Sequence, residues 1–527
     1  MVELNTLEGR VWSVARRTRL NPDRVYVVVA VFLFFICALS FFLIPLPTMQ
    51  WFSDYWEHAA AIKALAQNLT NPLHPLYASH DPSRQFIPYN VLLALLVKYL
   101  DISVIAALSI LATVIFGLFL VGVRLLSTEL FHHPWAPLVL LLTFLCAWGS
   151  PWVWTGFYEL RAIFYNSYYP SAAVLSLTFI VWWCALRYLR AKAMLSLWMP
   201  AIWLLVALMY VTHQLAALFA VGGLLLFAVF EPGITVWKRL LLVVVVLVGV
   251  AATWFWPYFN PIGLTGTAAV DELADDFSAF YRPIPVILLI GPAFFALPIA
   301  VVLLRRRKHL ALVVGLVSIA LAYLLFGLID HPVGHRLISY FMVYMHLILA
   351  WGILEYFSGA GARARSYRSG VAVLVTLCVV AQVAFAGIDF FRVGYERVSG
   401  RSFGNFPNQP VLAHMEALKA IIPDDAVVFS TPDESYPIPV FAGKLVDHPR
   451  AGWMIPDQKS RTKDNKAFFA SSTSNDERLA LAEKYNATFA VVNKRSVDDA
   501  VLADLSRIGR SIAINDDVRL IDLRRNQ

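Results

Sequence analysis

Apolar runs of about 20 residues, the length of helix needed to cross roughly 30 Å of hydrocarbon, recur along nearly three quarters of this chain and confine it to a bilayer. They fall near 25–47, 103–126, 134–150, 171–190, 195–212, 215–231, 239–257, 284–304, 309–328, 337–356 and 370–389. With 59% of its 527 residues hydrophobic, the chain has far more apolar surface than a water-soluble domain can cover. The first run follows Arg16, Arg17, Arg19 and Arg24, is too long for a signal-peptide core and precedes no small-residue cleavage pattern, so it reads as an uncleaved anchor.

Orientation follows from Lys and Arg. The N-terminal arginines, Arg124, Arg187 with Arg190 and Lys192, Lys238 with Arg239, the run Arg305 to Lys308, and Arg363, Arg365 and Arg368 occupy alternate loops, as cytoplasmic loops do. The other set then faces outward: a long first loop over 48–102, a second over 151–170, a tight turn at Thr212-His213-Gln214, 258–282 and 330–336. An odd number of spans, about eleven, leaves the N-terminus cytoplasmic and the tail outside. The net charge of +8 is thus spent on membrane orientation, not on one polar face, which argues against a nucleic-acid partner. All four cysteines, Cys37, Cys146, Cys184 and Cys378, lie in predicted spans, so neither a disulfide framework nor a thiol metal motif is expected.

Two domains are expected: 1–390 in the membrane and 391–527 as a soluble α/β unit. In the tail, 409–422, 476–485 and 497–508 read as helices, and 426–430, 488–493 and 518–523 as strands. In the first outer loop, 51–69 reads as an amphipathic helix suited to the membrane surface. The apolar stretch 89–100, after Pro88, is too short to span.

Candidate chemistry gathers on the outward loops. In Ser53-Asp54-Tyr55-Trp56-Glu57-His58, helical spacing puts Asp54, Glu57 and His58 on one face. A solvated polar face is the plain alternative. Glu159 and Arg161 are charges needing partners inside an aromatic-rich second loop that otherwise reads as an interfacial belt. In the late loop Asp330-His331-Pro332-Val333-Gly334-His335-Arg336, the two histidines and the arginine suit a phosphate, or serve as interfacial anchors. A zinc set of Asp330, His331 and His335 is weaker, because the proline and glycine break helical spacing. His213, His74, His80 and Asp81 are minor candidates, as are Asp433, Glu434, Lys444 and His448 in the tail.

These features together resemble the GT-C glycosyltransferases. The residues carrying the likeness are the Asp-led first loop with its helix, the short run Pro88-Tyr89-Asn90-Val91-Leu92-Leu93-Ala94-Leu95-Leu96, a long span ending in Arg124, the acidic second loop, the basic late loop and the outer C-terminal domain. That superfamily includes protein O-mannosyltransferases, aminoarabinose transferases and oligosaccharyltransferase catalytic subunits. The resemblance implies an enzyme of the plasma (inner) membrane, working on its outer face and moving a sugar from a polyprenyl-phosphate-linked donor to an acceptor the sequence does not identify. It implies inversion at the anomeric carbon, Asp54 as the base with Glu57 and His58 beside it, and Glu159 as a second acid. Arg161, His331, His335 and Arg336 would then hold the lipid phosphate. Two departures stand out: the first loop reads DYWEH in place of a plain acidic pair, and the second offers one Glu where metal-using members place two acids. No metal ligands are therefore assigned, and a divalent metal stays open.

Independently of the family, anomeric displacement needs a carboxylate at the acceptor and cations at the leaving phosphate, and the outward loops supply both. No glycine-rich phosphate loop supports a nucleotide-sugar donor. A lipid-linked glycan ligase or polymerase, using Arg and His more than carboxylates, is the alternative enzyme. A transporter is the rival class, opposed by the scarcity of charge within the spans and by the lack of visibly broken helices in matching halves.

Overall fold

The computed structural model describes residues 21–43, 53–149, 158–263, 283–329, 331, 334–358, 376–388, 411–448, 455 and 457–524. Every predicted span coincides with an apolar helix. Seven are long and apolar enough to cross a membrane: Pro22–Phe42, Val104–Phe131, Pro170–Arg190, Val236–Phe255, Val286–Arg306, Leu310–Leu328 and Gly334–Ser358. The other four are shorter, Ala136–Cys146, Trp198–Thr212, Gln214–Phe230 and Thr376–Ile388. The chain is a polytopic helical membrane protein with a small C-terminal α/β region.

Local signals set the helix ends. Ser103 caps Val104–Phe131 by accepting from Ala106 N at 3.1 Å, and the helix stops where His132 turns left-handed at φ 50°. Proline opens both Pro88–Leu100 and Pro170–Arg190, where its missing N–H costs nothing. Pro170–Arg190 and Gly334–Ser358 lie mostly inside the bundle, whereas Pro22–Phe42 and Leu310–Leu328 turn most of their apolar surface outward. Inner helices are joined by hydrogen bonds that hydrocarbon cannot replace: Trp182 Nε1 donates to Ala220 O at 2.7 Å and Ser176 Oγ to Ile115 O at 3.2 Å.

Two helices break. Ala136–Cys146 ends at Ala147, and the Val286–Arg306 span tightens into a 3₁₀ turn at Gly291–Phe295. The breaks meet, with Gly149 N donating to Leu289 O at 2.9 Å and Gly291 held at φ +49°. A Cβ on Gly291 would lie 2.5 Å from Gly149 Cα, so backbone touches backbone here and only glycine fits. His346, fully buried, pairs with the freed Ala147 carbonyl at 3.1 Å.

The basic loops gather at one end of the bundle. Arg190 bridges Glu129 at 2.8 Å and Glu231 at 2.7 Å, Arg187 adds a 3.4 Å contact to Glu129, and Lys238 donates to Leu189 O at 3.3 Å. The C-terminal region stands at the other end, against the first loop.

Its sheet runs β1 Val427–Ser430, β2 Lys444–Leu445, β3 Ala487–Asn493, β4 Arg510–Ala513 and β5 Val518–Asp522, in spatial order β2-β1-β3-β5-β4. The first three strands are parallel and β5 and β4 antiparallel, with Val428 beside Phe489 and Val491 beside Leu520. Phe429 stacks on Phe468 at 4.0 Å in the core. The six tail elements read from sequence are present as Val411–Lys419, Asn475–Lys484, Asp499–Ile508, β1, β3 and β5. Short β2, exposed β4 and the polar helix Gln458–Phe468 are additions, since none carries an apolar period.

One expectation is corrected. The first-loop helix, Ser53–Gln67, does not lie on a membrane surface: Tyr55, Trp56, Glu57, His58, Ala59, Ala60, Ala61, Ile62, Ala64 and Leu65 are all buried. It is sandwiched. Tyr55 lies 5.6 Å from Tyr168 on the bundle side, Trp56 lies 6.0 Å from Phe441 of the C-terminal region, and Lys63 pairs with Asp424 at 2.7 Å. Its run of alanines allows close approach on several sides at once, which a hydrophobic stripe read from sequence does not reveal.

Candidate active site

The sandwiched helix turns Glu57 and His58 inward, where both are almost wholly buried, while Asp54 sits in its first turn, partly buried. Gln85 Nε2 donates to Glu57 Oε2 at 2.7 Å. Burial pushes the Glu57 carboxyl up, and the Arg84 charge and the Gln85 hydrogen bond pull against it.

Asn90, fully buried near the start of Pro88–Leu100, donates from Nδ2 to Gln85 O at 2.6 Å and also faces His58 Nδ1 at 3.0 Å. The carbonyl contact orients the amide, so Nδ1 of His58 accepts and its proton sits on Nε2. Burial, with the charges of Arg84 and His213, pushes the His58 imidazole down to about 3. At neutral pH, His58 is a neutral N–H donor.

Arg84 links this group to distant parts of the chain. Its charge acts on Glu57, His58, His213 and Arg336, and that of Arg336 also acts on His213. His213 is the single residue between Trp198–Thr212 and Gln214–Phe230, where its Nδ1 caps the second helix by accepting from Ala216 N at 3.2 Å. That leaves Nε2–H as its donor. Arg336 closes the 3₁₀ turn Gly334–Arg336 beside Tyr340. Among the described residues, no hydrogen bond or ion pair engages its guanidinium. One carboxyl, two neutral imidazoles and two guanidinium groups thus converge from the first loop, a helical hairpin and the late loop.

The remaining predicted residues are placed as follows. Glu159 is fully buried, near enough to Cys146 at the end of Ala136–Cys146 for its charge to be felt there. Arg161 lies over the Phe385 ring at 5.4 Å, His331 is 4.9 Å from the Phe326 ring, and His335 is buried. Asp330, the third member of the zinc set beside His331 and His335, lies outside the described residues, as do 150–157. Among the described residues no group of three His, Cys, Asp or Glu is arranged to hold a metal ion. The aromatic belt expected in the second loop is corrected for Tyr168, and Tyr158 of the neighbouring motif is core as well. Tyr158 stacks on Phe119 at 3.8 Å and Tyr168 donates to Phe41 O at 3.2 Å, so both rings are core.

Arg84, Gln85 and Asn90 were missed by sequence reasoning, and His213 was given a minor place. A signal for Arg84 was present: an arginine on the side where Lys and Arg are otherwise scarce. Of the tail candidates, Glu434 is closed within a buried group, paired with His414 at 2.9 Å and with Asn493 Nδ2 at 2.9 Å.

No family model and no curated protein sequence matches the chain. Solved structures do. The Archaeoglobus fulgidus oligosaccharyltransferase superposes with a TM-score of 0.55 at 13% identity, over 91% of this chain and 70% of that one. ArnT from Cupriavidus metallidurans, in complex with undecaprenyl phosphate, gives 0.53 at 13% identity over 95% and 97%. The arabinofuranosyltransferase AftD from Mycobacteria, as its R1389S mutant, gives 0.60 at 13% over 95% of this chain but only 41% of its own. The chain has the GT-C fold.

Proposed function

We propose that this protein is a GT-C glycosyltransferase that moves a sugar from a polyprenyl-phosphate-linked donor to an acceptor, at a site facing away from the cytoplasm. The observation carrying the reading is that Glu57 and His58, both buried, and Arg84, His213 and Arg336, each partly buried, lie close enough for their charges to act on one another at the end of the bundle where the C-terminal region sits. Two guanidinium groups, the Arg84 charge bearing on Arg336, suit an anion, and a lipid phosphate reaches that depth from the bilayer. The fold adds weight, since ArnT was solved with undecaprenyl phosphate and an archaeal oligosaccharyltransferase with a dolichol phosphate and a peptide.

In this reading the acceptor's nucleophilic atom forms a bond to the anomeric carbon as the bond from that carbon to the phosphate oxygen breaks, inverting the centre. The acceptor proton passes to Asp54, and the bonding pair leaves on the phosphate. Arg84 and Arg336, with the Nε2–H groups of His58 and His213, meet the new negative charge; His331, His335 and Arg161 support the lipid side. Glu57 and Glu159 bear on the positive charge that develops on the sugar.

The test uses membranes holding wild type or Asp54→Asn and a panel of radiolabelled polyprenyl-phosphate sugars. Wild type should consume at least one donor, and the variant should be slower by about 100-fold or more, the usual contribution of a general base. A wild type that consumes none, or a variant equal to it, removes the reading. Net uptake into sealed vesicles without transfer would favour a transporter.

A further inference from the structure

The seam between the C-terminal sheet and the first loop is built from polar groups that the proposed chemistry does not use. Lys444, on β2 and 4% exposed, donates from Nζ to His74 O and Pro75 O, both at 3.0 Å. On the next residue, Leu445 N donates to Leu76 O at 2.8 Å, so the loop adds to the free edge of β2. Tyr77, fully buried, donates its phenol to Gln458 Oε1 at 2.9 Å, stacks on His74 at 5.1 Å and lies under Arg461 at 5.1 Å. Gln458 in turn donates to Asp447 Oδ1 at 2.8 Å. The loop segment 74–77 is plugged into a socket of the C-terminal region.

Two further fixings flank that socket on a stretch without helix or strand. Tyr258 donates its hydroxyl to Leu69 O at 2.6 Å before the plug, and Trp256 Nε1 donates to Phe86 O at 2.8 Å after it. Arg84 and Gln85, which reach Glu57, follow the plug in the same irregular stretch.

If cohesion were the only task, an apolar side chain at 444 would do better, because a buried amine carries a desolvation cost that two neutral carbonyls only partly offset. What the amine adds is direction: it takes hold of two particular carbonyls and fixes where the loop lies.

We propose that Lys444 is a positioning residue, whose grip on the His74 and Pro75 carbonyls sets the first loop so that Arg84 and Gln85 meet Glu57. The C-terminal region then helps to build the active site although its own side chains stay outside the chemistry. The catalytic part of this inference rests on the proposed function; the placement of the loop does not.

The experiment compares full-length wild type, Lys444→Met and Lys444→Arg in nanodiscs by amide hydrogen exchange and by the pH profile of transfer from the donor the panel identifies. Lys444→Met should raise exchange over 74–87 about tenfold, the loss of roughly one net hydrogen bond, and lower kcat by a similar factor. It should also move the acid limb of the profile to higher pH, because Glu57 loses the two groups that oppose its burial, a change that loss of global stability would not produce. Lys444→Arg, which keeps donors for both carbonyls, should restore both. Should Lys444→Met fail to fold, Tyr77→Phe removes only the bond to Gln458 and should shift exchange the same way. Unchanged exchange over 74–87, or raised exchange with kcat and the acid limb unmoved, overturns the inference. A wild type inactive toward every donor counts against the proposed function alone, and exchange at 84–87 then decides the placement.

Discussion

Gln85 Nε2 donates to Glu57 Oε2 at 2.7 Å, and this single bond ties the irregular part of the first loop to the helix carrying the acidic cluster. Burial drives the Glu57 carboxyl up, and the Arg84 charge and this bond both oppose that rise. Gln85→Ala should therefore raise the Glu57 pKa further and move the acid limb of the pH–rate profile to higher pH. A hydrogen bond to a charged group contributes about 1.5–3 kcal/mol, so the acid limb should move up by about one pH unit or more while the rate on the alkaline plateau stays unchanged. An unmoved acid limb would show that Glu57 does not need its charge.

Arg336 should show opposite effects on stability and on ligand binding. Its guanidinium shares a shielded space with that of Arg84, which acts on it unfavourably, and no described residue forms an ion pair with it. Arg336→Gln should raise the Tm of the ligand-free protein by a few degrees. The same change should weaken binding of a polyprenyl phosphate about tenfold or more, as expected for loss of a charge-assisted contact. Thermal shift and lipid titration on one preparation check both signs.

The plug of the first loop into the C-terminal socket should tighten as pH rises. Burial pushes His74 down to about 3, with Lys444, His448 and Arg461 adding, and it pushes Lys444 down to about 7, with Lys63 adding and Asp424 opposing. Released into water, the two groups would return toward about 6.5 and 10.4. The released loop and socket thus bind more protons than the docked ones, between pH 3 and 6.5 for His74 and between 7 and 10 for Lys444, and docking gains over both windows. Asp447, held above the usual carboxylate range mainly by burial, opposes this only at the acidic end. Hydrogen exchange over 74–77 should slow from pH 5 to 9 after correction for intrinsic rates, and Lys444→Met should abolish the alkaline part.

The paired helix breaks should tolerate no side chain. A Cβ on Gly149 would lie 1.7 Å from Leu288 O, and Gly291 combines φ +49° with a backbone neighbour at 2.5 Å. Gly291→Ala should cost more than about 2 kcal/mol, because backbone strain and overlap add. The Tm in detergent should drop clearly, whereas Gly222→Ala, inside the helix Gln214–Phe230 where a Cβ meets nothing within 4 Å, should hold it or raise it slightly.

What the sequence determined by itself was everything carried by a local period or a local charge. Apolar runs gave eleven helices because a backbone in hydrocarbon has to satisfy its own hydrogen bonds. Alternation of arginine-rich loops placed Arg187, Arg190 and Lys238 at one end, where the structure joins them to Glu129, Glu231 and nearby carbonyls. In the tail, β1, β3 and β5 were legible as short buried runs, whereas Lys444–Leu445 is too brief to show a period.

Only the tertiary structure decided which charges meet. Glu57, Arg84, His213 and Arg336 belong to three separate loops, and no spacing rule connects residues so far apart in the chain. The first-loop helix shows the same limit. Its polar face was expected at a water boundary, yet a second layer of protein covers it, and whether a face meets solvent or another domain is not a local property. The tail's role at the site depended on the same fact, since the grip of Lys444 on two backbone carbonyls leaves no trace in side-chain chemistry and exists only once both parts are folded.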